Sequence, residues 1–314
     1  MNILVTGGLG YIGSRVVQYF LDKGHIVTIL DNLESAISLD IEDASIINID
    51  MTDEEATDKL DLDEKEVVIH MAGPSSGMAS AADPVGTISR GYATTLNTLK
   101  LAKRLGVRRF LFASSMVVYG NVSITDCPVK ENSACEPVSH YGIGKQANER
   151  LIEVFCSEND IGYNCLRMFN VYGPGQDLNR LDQGLVSIFT ALLMKSPQLE
   201  VKGSLDRYRD LINIDDVVIS FYRAALQSSY DGPINVATGQ KTTLKELIDI
   251  IGDALNLTDK LELLQGPETP GDIFGIYGDR TLLRDVTGVT TFVDPKEGVK
   301  IFVEWAKGEV NKNV

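Results

Sequence analysis

The chain alternates between two hydrophobic rhythms. Short β-branched apolar runs at residues 2–6, 25–30, 45–49, 67–70, 109–113 and 163–168 predict buried strands. Between several of them, residues 11–23, 84–105 and 141–158 carry apolar side chains at helical spacing. Strand–helix–strand repetition predicts a parallel sheet, wound right-handed, with helices on both faces. The expected fold class is α/β, a Rossmann-type doubly wound parallel sheet with a smaller α/β C-terminal lobe. After Asn170 the alternation weakens. A Gly/Pro segment, Tyr172-Gly-Pro-Gly-Gln176, leads to a predicted helix over 185–194, short strands, and a helix opening at Asp215 or Asp216. From Thr242 the pattern predicts a helix, an irregular stretch at 266–275, and a last helix near 297–306. A return to the sheet is expected near 209–213. Residues 1–168 plus about 208–236 would then form one domain, and about 169–207 plus 237–314 a discontinuous second lobe.

Charge narrows the partners. The 314 residues hold 29 Lys plus Arg against 44 Asp plus Glu, a formal net charge of −15. Nucleic acids and anionic membranes reward a basic face, so neither is expected as a partner. An anionic substrate would need local arginines or helix N-termini. Hydrophobic residues at 44% exclude disorder as the main state. No apolar run approaches the roughly 18 residues of a membrane span. The N-terminus enters a predicted strand without a signal peptide's basic start, and a cytoplasmic location is expected. Cys127, Cys135, Cys156 and Cys165 lack C-x-x-C spacing, so reduced thiols are expected. His25, His70 and His140 are scattered, and no metal site is expected.

Gly7-Gly8-Leu9-Gly10-Tyr11-Ile12-Gly13 follows the first strand and opens the first helix. Gly7 would allow the tight turn, Gly10 the approach of a pyrophosphate, and Gly13 the packing of helix on strand. Tyr11 and Ile12 join these as candidate cofactor contacts. A bare glycine triad is weak, but here the second strand ends in Asp31, beside Asn32. A carboxylate about 20 residues on can accept both ribose hydroxyls of NAD and would repel a 2′-phosphate. Asp50 and Met51, after the third strand, could meet the adenine by the same strand-end logic, or Asp50 could cap the helix from Thr52. Met71-Ala72-Gly73 follows the fourth strand, where small residues suit a backbone lying against the cofactor or a plain turn.

Tyr141 and Lys145 stand four apart and share one face of a helix. Ser115 closes the fifth strand at the sheet edge where α/β ligands sit. A phenol, which ordinarily titrates near pH ~10, is a poor base at neutral pH. A lysine ammonium one turn away, with the positive nicotinamide ring, is expected to favour the phenolate. The phenolate would take the proton of a sugar hydroxyl while hydride leaves the same carbon, and Ser115 would hold that hydroxyl.

With these residues in this order, the chain resembles the extended short-chain dehydrogenase/reductase family, in its nucleotide-sugar epimerase/dehydratase branch. The likeness runs through Thr6–Gly13, His70-Met-Ala-Gly73, Ser114-Ser115, Val118-Tyr-Gly120, Tyr141 and Lys145, Leu166-Arg-Met-Phe-Asn-Val-Tyr-Gly-Pro-Gly175, Arg209-Asp210, Asp215-Asp216-Val217 and Pro270-Gly-Asp-Ile273. It is nearest to members that resemble UDP-glucose 4-epimerases. The resemblance implies tightly held NAD, a Ser115/Tyr141/Lys145 catalytic set, and a C-terminal lobe for a nucleoside diphosphate sugar. It also implies a homodimer joined by the helices at 84–105 and 141–158. Asn170, Arg209 and Asp272 match the family's substrate-binding positions.

Some positions depart from that pattern. The family's 4,6-dehydratases carry Asp-Glu after the catalytic hydroxyl residue; here Met116-Val117 cannot move a proton. The 3,5-epimerising members need a further Cys or His with Lys, and nothing pairs Cys127 or Cys135 suitably. This leaves 4-epimerisation, with a 4-ketoreductase or dehydrogenase as rival within the fold and a non-catalytic dinucleotide-sensing regulator as rival outside it. Thr269 stands where the family has an arginine, a charge that Arg180 or Arg207 would have to replace. Gly91 stands where the family has an asparagine, which removes a hydrogen bond near the nicotinamide end.

Overall fold

A computed structural model describes all residues except 38–40, 76, 183, 227–229, 268–272 and 313–314. Its centre is a seven-stranded parallel sheet. From one edge to the other the strands are Gly232–Val236, Gly162–Met168, Arg109–Ser115, Val67–His70, Asn2–Thr6, Ile26–Asp31 and Ser45–Asn48. The chain winds outward from Asn2–Thr6 in one direction, then resumes at Val67–His70 in the other. The reversal leaves a crevice at the carboxyl ends of these two strands, where doubly wound sheets bind ligands.

Successive strand residues point to opposite faces, so each strand feeds two cores. Ile3 and Val5 pack with Val17, Phe20, Val217 and Phe221 beneath the helices Tyr11–Asp22 and Ile214–Leu226. Leu4, Val68, Phe110 and Phe112 pack on the other face with Leu99, Ile152 and Cys156 from the helices Pro84–Arg104 and His140–Glu158. A third core joins the helices Leu185–Lys195, Leu244–Ala254 and Pro295–Lys312 through Phe189, Leu193, Leu247, Ile251, Phe302 and Val303. Thr243 and Glu246 form a reciprocal capping box at the start of the Leu244–Ala254 helix.

One expectation is corrected. Residues 209–213 do not return to the central sheet. Leu211–Asn213 pairs in parallel with Asn170–Tyr172, and Tyr208–Arg209 pairs with Thr242–Thr243 and Gly275–Ile276. The strand that returns is Gly232–Val236, beside Gly162–Met168. Its Gly-Pro start breaks the apolar pattern, yet Pro233 is tolerated because an edge strand has one row of unpaired backbone groups.

Candidate active site

The glycine turn lies at the crevice. Gly7 has φ +67°, and a Cβ there would stand 2.6 Å from Ala72 N. A Cβ on Gly13 would run into the Gly7 carbonyl. The fold itself therefore demands glycine at both positions. Gly10 differs: a Cβ there would meet only Gly7 O, at an ordinary 3.5 Å. Gly73, with φ +130°, faces nothing within 4 Å on its Cβ side. No side chain caps the Tyr11–Asp22 helix and no acid stands in its first turn, so its N-terminal N–H groups suit a diphosphate. Open glycine sides and an uncapped helix at the switch point fit a dinucleotide.

Asp31 is buried at its strand tip. One carboxylate oxygen accepts from Leu9 N at 2.9 Å and the other from Leu33 N at 2.8 Å. Each retains a free lone-pair direction, so the carboxylate is oriented by the glycine loop before any ribose arrives. Asn32 is exposed and accepts from Glu34 N. Asp50 is exposed and accepts from both Thr52 N and Thr52 Oγ1 at 2.8 Å, but the helix that follows, Glu54–Asp58, is capped by Asp53. Met51 is buried, its carbonyl accepting from Asn97 Nδ2. Tyr11 donates to Gly173 O at 2.9 Å and so ties the glycine turn to the Gly-Pro-Gly segment, while Ile12 is half-buried beside it.

Beneath the crevice runs a chain of hydrogen bonds. Ala72 N donates to Thr6 Oγ1 at 3.3 Å, and Met71 N to Thr6 O at 3.0 Å. Thr6 Oγ1 lies 2.7 Å from His70 Nδ1, and His70 Nε2 lies 3.1 Å from Thr95 Oγ1. Thr95 Oγ1 then donates to Gly91 O at 2.9 Å. His70 is fully buried, and desolvation, helped by the Lys145 charge, holds its pKa down to about 3. Its role here is to brace the floor.

Ser139 caps the His140–Glu158 helix by accepting from Gly142 N, and the helix brings Tyr141 and Lys145 against the end of the Arg109–Ser115 strand. Lys145 Nζ donates to Ala113 O at 2.7 Å, two residues before Ser115, and lies 5.6 Å from the Tyr141 ring centre. Ser115 Oγ accepts from Val117 N. Tyr141, Gly144, Lys145 and Asn148 share a small cavity with Ala72, Gly73, Pro74, Thr87, Gly91 and Phe112. The expected effect on the phenol needs correction. Burial pushes Tyr141 up to about 12, and only a hydrogen bond with Ser115 works against it. Lys145 is itself lowered to about 8 by burial, with Glu149 and Cys165 opposing. Burial of the phenol outweighs the lysine one turn away.

Sequence reasoning missed Glu149 and Asn148. Glu149 accepts from Ser114 Oγ at 2.5 Å and from Arg167 Nη2 at 2.7 Å, with both groups of the ion pair buried. Arg167 also donates to Tyr119 OH and Glu131 O, and Tyr119 donates to Asn235 Oδ1 at 2.6 Å. This network fastens the Tyr141 helix to the strand carrying Ser115. The signal was present in spacing: Glu149 lies one turn beyond Lys145 on the same face.

The second half is less open. Asn170 Nδ2 donates to Asp210 O at 3.1 Å. Arg209 is buried and donates to the carbonyls of Tyr208 and Phe274. Asp210 accepts from Thr238 N, Thr238 Oγ1, Gly239 N and Gly278 N. Arg180 pairs with Asp182, and Arg207 reaches the carbonyls of Ser204 and Lys202. Asp272 and Thr269 lie outside the described residues. No helix among the described residues is long and apolar enough to cross a membrane.

Known proteins resemble this chain along its whole length. A UDP-glucose 4-epimerase of Mycolicibacterium smegmatis is 31% identical over 316 residues, spanning 98% of this chain and 99% of its own. The UDP-glucose 4-epimerase of Thermotoga maritima, solved with UDP-glucose, superposes with a TM-score of 0.92 at 31% identity, over 99% of this chain and 100% of its own. The Thermus thermophilus UDP-glucose 4-epimerase, solved with NAD, superposes at 0.88 with 28% identity over 98% and 99% of the two chains. The sequence pattern defining the NAD dependent epimerase/dehydratase family matches residues 3–237. The chain belongs to that family, and its cofactor is NAD.

Proposed function

We propose that the protein is a nucleotide-sugar 4-epimerase, with a UDP-sugar as substrate and a transient 4-keto sugar as intermediate. The observation that carries this reading is the company of Ser115, Tyr141 and Lys145: the serine is followed by Met116 and Val117, two side chains unable to shuttle a proton. Neither position can supply the further acid or base that water elimination from the 4-keto sugar needs. Gly7, Gly10, Tyr11, Ile12 and Gly13 would cradle the cofactor diphosphate, Asp31 and Asn32 its ribose, and Asp50 and Met51 its adenine. Met71, Ala72, Gly73, Tyr141 and Lys145 would border its nicotinamide half. Bound NAD supplies a hydride acceptor and a positive ring charge.

With that charge added to that of Lys145, Tyr141 takes the proton of the sugar 4-hydroxyl while Ser115 shares it. The sugar then turns over, the hydride would return to the opposite face of C4, and Tyr141 would return the proton to the 4-oxygen, so no redox equivalent is consumed. Asn170, Arg209 and Asp272 would meet the nucleotide diphosphate in the lobe of residues 169–207 plus 237–314. Two copies would pair through Val85, Ile88 and Tyr92 on one helix and Ile143 and Val154 on the other, all exposed. A monomer in light scattering would refute that pairing.

The test is proton NMR of the anomeric region after mixing the purified protein with UDP-glucose, UDP-galactose and their N-acetylated and uronate analogues separately, with no cofactor added. The 4-epimer is expected with at least one of them. Turnover that requires added NADH or NADPH would instead establish a ketoreductase. Tyr141→Phe is expected to lower kcat by about 10²–10⁴-fold while NAD stays bound. Retention of more than a tenth of the rate, roughly a single kcal/mol step, would remove Tyr141 from the chemistry.

A further inference from the structure

The cavity beside Lys145 contains one polar atom without a partner. Asn148 is buried, and its Oδ1 makes no hydrogen bond. Its Nδ2 donates to Gly91 O at 3.3 Å. That carbonyl can only accept, so the amide cannot be reversed, and Oδ1 is the group turned away from it. A buried acceptor left unpaired costs roughly 1–3 kcal/mol, so a donor is expected to meet it. Asn148 lies three residues from Lys145 on one helix face, and both side chains line the same cavity. Lys145 uses one of its three N–H groups on Ala113 O. The cavity gives the centre of a water about 20 Å³, room for one molecule.

Gly91 is what opens this space. A Cβ at residue 91 would stand 3.6 Å from both Asn148 Nδ2 and Pro74 Cδ, ordinary contact distances at the cavity wall. Asn148 enters the same cavity from the facing helix.

We propose that Asn148 is a positioning residue for Lys145: its Oδ1 and the Lys145 ammonium hold one ordered water between them in the space left by Gly91. The proposal builds on the assignment of Lys145 to the catalytic set. The water solvates a charge that the fold otherwise strips of solvent. Other titratable groups facing Lys145 leave this as the adjustable partner. On its own helix are Tyr141, raised by burial, and Glu149, engaged by Arg167. From the sheet come His70, held neutral, and Cys165, whose thiol burial pushes well up.

A crystal structure of the protein with NAD bound, fine enough to show ordered water, is expected to place one water within hydrogen-bond distance of both Asn148 Oδ1 and Lys145 Nζ. An empty cavity there, or a cofactor hydroxyl bonded directly to Asn148, overturns the proposal. This arm is independent of turnover, so it separates failure of the water from failure of the epimerase reading. In Asn148→Ala the Lys145 charge loses support and its pKa falls further. The alkaline limb of kcat should then move to lower pH by roughly one unit, with KM little changed. The double variant Gly91→Asn/Asn148→Ala returns a carboxamide to the cavity and should restore the limb. An unmoved limb in a folded Asn148→Ala protein, or no recovery in the double variant, also overturns it. Asn148→Ser, smaller but still polar, serves should the alanine variant fold poorly.

Discussion

Two buried carboxylates organise the two halves of the site, and they are satisfied in different ways. Glu149, behind Ser115 and Lys145, faces the guanidinium of Arg167 and the hydroxyl of Ser114. Asp210, behind the strand of Arg209, accepts four hydrogen bonds, all from neutral N–H or O–H groups of Thr238, Gly239 and Gly278. The first is an ion pair whose partner never loses its proton. The second is a lone charge, and burial raises it to about 6 against those hydrogen bonds. The junction beside Arg209 is therefore sensitive to mild acid.

The sharpest way to break the comparison is Glu149→Gln. It leaves Arg167 charged and buried without a carboxylate, and a loss of about 3–5 kcal/mol is expected in denaturant unfolding. A loss near zero would mean the pair is not what joins the helix to the strand. Asp210→Asn strands no cation, but its amide cannot accept all four donors, so about 2 kcal/mol is expected. The pH dependence has a definite sign. Asp210 has its pKa raised in the folded protein, so its penalty is full above about pH 6 and is relieved as pH falls toward the unfolded value. The stability lead of wild type over Asp210→Asn should widen between about pH 7 and pH 5. A lead that narrows would show that the charge is not confined there. Asp31→Ala should weaken NAD roughly tenfold and relax discrimination against NADP, measured by titration. Unchanged preference would reduce Asp31 to a brace for Leu9 and Leu33. Smallest of all, Arg15→Ala breaks the exposed Arg15–Asp215 pair and should change stability by less than about 0.5 kcal/mol.

What the sequence revealed follows the range of the forces involved. The glycine turn, Asp31 and the Tyr141–Lys145 spacing were legible because each is fixed by backbone conformation within a few residues. Strand positions in the central sheet followed from alternation, except at Gly232–Val236, where Pro233 hid a strand that only its edge position permits. The contacts of Arg209 were not legible, since they are carbonyls from Tyr208 and from distant Phe274. The resting state of Tyr141 escapes the sequence for a related reason. Charge proximity can be read from spacing, whereas desolvation depends on everything packed around the ring. Asn148 reads as one polar residue on an amphipathic helix, and its meaning depends on what Gly91, 57 residues earlier, leaves vacant.

The hydrogen bonds under the crevice also fix where protons sit. Gly91 O can only accept, so the Thr95 hydroxyl spends its proton there and must accept from His70. The imidazole therefore carries its hydrogen on Nε2 and offers a bare Nδ1 to Thr6, whose own oxygen takes the Ala72 N–H. One tautomer of two is selected by a carbonyl on the Pro84–Arg104 helix, and every dipole along the row points the same way. Nitrogen-15 chemical shifts of His70 should show that single tautomer, unchanged across the neutral range.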